Sequence, residues 1–172
     1  MRQWLHMAIA ATALLAFTGF DAAGQGWRRV DYPEDGFSIE FSGEVQVSAT
    51  GVDEESKDRI LRSTDYLQDN DRSAFIVAAT LVRYTVDFDN GVQASYGTLK
   101  CKTTLNDTPL DFAPGPARSV SGSNCGEDGS LSVEARYYST GKWFYQVLAI
   151  FTKGEDDADA LRFVNSFALL GR

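Results

Sequence analysis

The sequence predicts an α+β domain built on one central, mainly antiparallel β-sheet with cover on both faces. Three observations carry that reading. The run "SAFIVAATLVRYTV" places Phe75, Val77, Ala79 and Leu81 on one side and Ile76, Ala78, Thr80 and Val82 on the other, with no charge before Arg83. "GKWFYQVLAIF" is apolar on both sides in the same way, and such strands belong in a sheet with material on each face. Two further segments change from a period of two to the period of a helix.

The elements follow in chain order. "WRRVDYPEDGFSIEFSGEVQVSAT" reads as strand, turn, strand, with Pro33 and Gly36 at the turn. Phe37, Ile39 and Phe41 alternate with Ser38, Glu40 and Ser42, and Val45 and Val47 continue after a bend at Gly43. "RILRSTDYLQ" is a mixed strand, and "DNDR" turns the chain into the doubly apolar one. In "NGVQASYGTLKCKTTLN", Val92, Tyr96, Leu99 and Thr103 form one helical stripe, although Gly97 and the threonines make a weak helix former. Residues 106–124 hold three of the four prolines and read as a long loop. "GSLSVEARYYSTGKWFYQVLAIF" is a hairpin around "STGK". The chain closes with a helix opened by Glu155, Asp156, Asp157 and Asp159, whose charges suit its first turn, and then a short strand at "FALL".

The start of the chain reads as a signal peptide. Arg2 precedes the apolar run "MAIAATALLAFTGF", which is short for a membrane span. Ala22 and Gly24 suit cleavage after Gly24, with Ala23 as the alternative, so residues 1–24 are the expected leader and 25–172 a single domain. Loss of Arg2 and Asp21 with the leader leaves the net charge at −8. With no basic run, nucleic acid and anionic membranes are not expected partners. His6 is the only histidine and leaves with the leader. That excludes a Ser-His-Asp triad, a Cys-His pair and His-ligated zinc or copper from the mature chain. Cys101 and Cys125 are the only cysteines, and in an exported chain they are expected to form a disulfide. Its closed loop of about 25 residues is worth about 3 kcal/mol.

"DYPEDGFSIEFSGE", with Tyr32, Glu34, Asp35, Gly36, Phe37, Ser38, Ile39 and Phe41, resembles the opening of a broad set of small exported bacterial proteins. Arg162, Phe163, Ser166 and Phe167 match their close. The set is similar to the PsbP/DcrB class, and the resemblance spans nearly the whole mature chain. Two features depart from it. Ser42 and Val45 stand where prolines are expected, and the cysteine pair is not a feature of the class. The resemblance implies an antiparallel sheet with helices packed on both faces, a PsbP-like sandwich, and a non-catalytic role. It carries over no site residues.

The expected function is that of an exported, non-catalytic domain, periplasmic or secreted, which binds a protein partner or a small ligand in the cell envelope. A monomer without a cofactor and without stable membrane insertion is expected. Tyr137, Tyr138, Trp143 and Tyr145, near the hairpin end, are the candidate contacts for ligand or partner. One alternative is a carboxylate-based hydrolase, for which Asp87 and Asp89 are a candidate pair. The other is calcium binding at "DFDNG" (87–91) or "GEDDADA" (154–160). The first has its glycine one position early for an EF-hand and lacks the closing glutamate.

Overall fold

The computed structural model describes residues 26–52, 54, 56–103, 105–155 and 157–171; the expected leader lies outside them. Ten strands and two helices follow in order. They are β1 (Arg28–Tyr32), β2 (Phe37–Phe41), β3 (Gln46–Ala49), β4 (Ile60–Asp69), β5 (Ser73–Val82), α1 (Phe88–Leu99), β6 (Asn106–Leu110), β7 (Ala117–Cys125), β8 (Leu131–Ser139), β9 (Trp143–Thr152), α2 (Ala158–Asn165) and β10 (Ala168–Leu169).

The strands form two antiparallel sheets, one of seven strands in the order β3-β4-β5-β9-β8-β7-β6 and one of three in the order β1-β2-β10. This corrects the expected α+β sandwich. Strands make up 49% of the described residues and helix only 14%. The main cover on one face of the large sheet is the second sheet, not a helix. The physical reason lies in β2, whose Phe37, Ile39 and Phe41 are buried along with Ser38. The sequence reading foresaw a single sheet, but β2 belongs to a second one whose side chains form the opposing layer. Phe37 stacks on Phe167 at 5.6 Å and meets Tyr66 at 5.2 Å. Phe163 of α2 stacks on Phe75 at 4.9 Å, so α2 completes the same layer.

The large sheet is two meanders, β3-β4-β5 and β6-β7-β8-β9, joined where β5 pairs with β9. The link from β5 to β6 must therefore cross β9, β8 and β7, and α1 lies on that link. Its Val92 packs with Val120, Ala135, Tyr137 and Phe144. On this second face, α1 and the disulfide cover the β7–β8 half, and Leu148 and Ile150 of β9 pack against the edge of that cover. The expectation that β5 is covered on both faces is corrected accordingly. Phe75, Val77 and Ala79 are buried, while Ala74, Ile76, Ala78, Thr80 and Val82 are half-buried.

Two element boundaries also differ from the sequence reading. The first helix stops at Leu99, because Lys100 takes a left-handed conformation (φ 49°) and Cys101 is tied by the disulfide to Cys125 at the end of β7. Residues 106–124 are mostly the β6–β7 hairpin, not a loop. Pro109 is tolerated there because β6 is an outer strand of the sheet. The other outer strand, β3, has only four residues. Gly122 of β7 is required by close packing, since a Cβ there would meet Leu105 Cδ2 at 2.5 Å.

Candidate functional site: two uncovered half-faces

The four aromatic side chains singled out from sequence are all buried. Tyr137 lies under α1, where Ser95 Oγ and Tyr137 Oη are 2.8 Å apart. Tyr138 stacks on Phe167 at 4.5 Å. Trp143 stacks on Tyr145 at 5.6 Å, with the Arg62 guanidinium 5.3 Å from its ring centre. Tyr145 Oη donates to the Asp35 carbonyl (2.8 Å). These rings fill the two interlayer cores.

Around Trp143 and Tyr145 sits a polar cluster that the sequence did not announce. The Asp35 carboxylate, 1% exposed, accepts a 2.6 Å bond from Tyr66 Oη and pairs with Arg62. Burial, reinforced by the bond to Asp35, holds the Tyr66 hydroxyl far above its ordinary pKa. Burial alone pushes Tyr32 beside it up to about 12. The cluster fastens the β1–β2 turn to the large sheet, which is a structural task.

The acidic candidates are likewise engaged. Asp87 caps α1, accepting from Asn90 N (3.3 Å) and Asn90 Nδ2 (2.7 Å). Asp89 pairs with Arg118 (2.7 Å). Arg118 also holds Asp107 (2.8 Å), which accepts from Tyr96 Oη (2.6 Å), so this network clamps α1 to β6 and β7. Among the described residues, no group of three or more His, Cys, Asp or Glu could hold a metal. Asp156 of the second calcium candidate lies outside the described residues.

Two regions remain open to solvent, one on each face of the large sheet. On the face that carries the small sheet, the β6–β7 side is uncovered. It forms an open cleft of about 700 Å³ lined by Asn106, Ser121, Ser123, Ser132, Glu134 and Asp157, among others. Glu134 is the notable member. Burial raises its carboxyl above the ordinary range, nearby Asp157 adds to the rise, and Arg136 opposes it. Arg136 is 8% exposed and bonds Glu134 (3.3 Å), the Ala135 carbonyl (2.8 Å) and Asn165 (3.2 Å). The cleft offers hydroxyls and carboxylates, but its half-buried acid is already paired.

On the opposite face, the β4-β5 side is uncovered, and β9 borders the clusters under α1 through Leu148 and Ile150. The register aligns Leu67, Ile76 and Leu148 in one row across three strands, with Ala74 and Ile150 in the next. All five are half-buried. A polar belt follows, with Asp65, Gln146 and the Ser63–Thr80 hydroxyl pair (3.1 Å). Beyond it Ile60 and Val82 are paired, and Leu61 beside them is 49% exposed. The sequence held a hint of this opening, since β4 carries no continuous apolar face to match that of β5.

The Cys101–Cys125 disulfide is formed as expected, and among the described residues no helix is long and apolar enough to cross a membrane. No family model matches the chain, and no curated protein is similar to it. The PsbP/DcrB resemblance therefore rests on the quoted residues alone.

Proposed function

We propose that this chain is an exported, non-catalytic domain of the cell envelope that binds a protein partner through the open half of its seven-stranded sheet. One observation carries the reading: Leu67 and Ile76, paired across β4 and β5, stay only half-buried on the face that α1 leaves open, at the margin of the α1-side clusters that take in Leu148 and Ile150. Contiguous apolar surface of this kind is the usual mark of a docking site. The disulfide and the expected leader support an oxidising, extracytoplasmic setting. No cofactor enters the reading. No catalytic step is assigned, because residues 25–172 contain no histidine and the half-buried Glu134 is paired with Arg136.

The test is native mass spectrometry of the protein drawn gently from its own envelope fraction, beside an Ile76→Glu variant of unchanged circular dichroism. The expected result is a defined complex for the wild type and bare protein for the variant. A complex that survives Ile76→Glu, or no complex with either chain, would sink the proposal.

A further inference from the structure

The open half-face ends in a corner with a chemistry of its own. Three large apolar side chains are exposed among the described residues, Tyr84 (64%), Val47 (57%) and Leu61 (49%), and the first and last belong to it. Leu61 is there because of a β-bulge. Ile60 pairs with Val82 and Arg62 with Leu81, so Leu61 is the extra residue between them. A bulge re-aims side chains and locally twists the strand. Here Arg62 turns inward to Asp35 while Leu61 is left largely exposed.

Three exposed cations converge on the same corner from separate segments. They are Arg59 before β4, Arg83 after β5 and Lys142 before β9. Main-chain bonds tie the segments together: Arg83 N donates to the Arg59 carbonyl (2.7 Å) and Val82 N to the Lys142 carbonyl (2.9 Å). The side-chain nitrogens meet carbonyls rather than carboxylates. Arg83 Nε donates to the Asp58 carbonyl (3.2 Å) and Lys142 Nζ to the Arg83 carbonyl (2.6 Å). Among the described residues, none of the three cations makes a salt bridge, although the chain as a whole has an excess of acid.

We infer that this corner receives an acidic protein segment with an apolar anchor, the anchor lying between Leu61 and Tyr84 and its carboxylates meeting Arg59, Arg83 and Lys142. The inference rests on the partner-binding reading above and names the chemistry of the partner. Charge complementarity selects an acidic segment over a basic one. The net charge of −8 disfavours an extended anionic surface such as a lipid bilayer. A short segment reaches the corner alone, and the more distant acids are screened over about 10 Å at ordinary salt.

The experiment uses a synthetic peptide of alternating leucine and glutamate, its leucine–lysine counterpart, and phosphatidylglycerol vesicles. Binding is followed through the amide resonances of the mature chain, residues 25–172. The glutamate peptide should shift Leu61, Arg83 and Tyr84, should weaken with added salt, and should bind about tenfold less tightly to an Arg83→Glu/Lys142→Glu variant. Equal or tighter binding of the lysine peptide, binding of vesicles alone, or no binding of the glutamate peptide would each overturn the inference. The double variant also separates the two proposals. If the envelope complex is lost with Ile76→Glu but untouched by charge reversal, partner binding stands and the acidic segment falls. If neither change disturbs the complex, both fall.

Discussion

The cleft on one face of the large sheet and the open rows on the other are both areas that the covering layers leave bare, yet they are bare in opposite ways. The cleft side presents Asn106, Ser121, Ser123 and Ser132. Water satisfies these groups, so leaving them uncovered costs the fold little. The other side leaves Leu67 and Ile76 only half-buried and Leu61 exposed. Apolar surface left in water forgoes about 25 cal/mol for each Å² that could have been buried. A chain that writes polar residues on one open area and apolar residues on the other has matched only the first to solvent. The unmatched one is where a partner is to be sought.

The most direct test of this contrast compares adjacent residues of β5. Val77, 0% exposed, faces the small sheet, and Val77→Ala should cost about 2–3 kcal/mol in urea unfolding. Ile76 faces the open side, and Ile76→Ala should cost about 1 kcal/mol or less. Equal losses would mean that the open face is covered in solution. Next comes removal of the cover on the other half of that face. Cys101→Ser/Cys125→Ser should cost about 3 kcal/mol. Amide exchange should then quicken at Val92, Ser95 and Leu99 of α1 more than in β5 or β9; uniform quickening would deny the disulfide a special hold on α1. A smaller change is Tyr96→Phe, which loses the bond to Asp107 and should cost about 1 kcal/mol with the sheet intact.

The smallest effect concerns the cleft. Burial holds the Glu134 carboxyl above its ordinary value of 4.5, so the folded chain keeps this proton to higher pH than the unfolded chain does. The associated stability is complete below the ordinary value and is lost as pH rises through the folded one. Glu134→Gln should therefore flatten the decline of Tm above pH 4.5, modestly, because the group is only partly removed from water. An unchanged slope would show that Arg136 cancels the burial.

Much of the strand order was legible because period-two alternation is local. β2, β5, β8 and β9 all stand where the alternation of Phe37–Phe41, Phe75–Val82, Leu131–Tyr138 and Trp143–Phe151 predicts. What alternation does not encode is which layer a strand joins, and so the second sheet that holds β2 was not foreseen. β7 was hidden for another reason. Ser119, Ser121 and Ser123 alternate with Val120 and Gly122, but neighbouring prolines and the low hydrophobicity drew the segment toward a loop. The open half-face was misread because burial on both sides was inferred from composition, whereas the extent of cover depends on the path of α1. The four aromatics near the hairpin could not be placed by spacing. Tyr137 is buried by Ser95 and its neighbours in α1, and the other three by Asp35, Arg62 and Phe167, all distant in sequence.

The outer strands of the seven-stranded sheet have a consequence for life at high concentration. An open sheet that ends in a long, flat strand invites the next molecule to add its own, and growth then has no natural stop. Here one end is closed off by Pro109, which has no amide hydrogen to offer a newcomer, beside the charged Asp107. The other end is a strand of only four residues, Gln46–Ala49, too short to hold an added strand firmly. A sheet that leaves part of one face bare thus offers little purchase to copies of itself at its two edges.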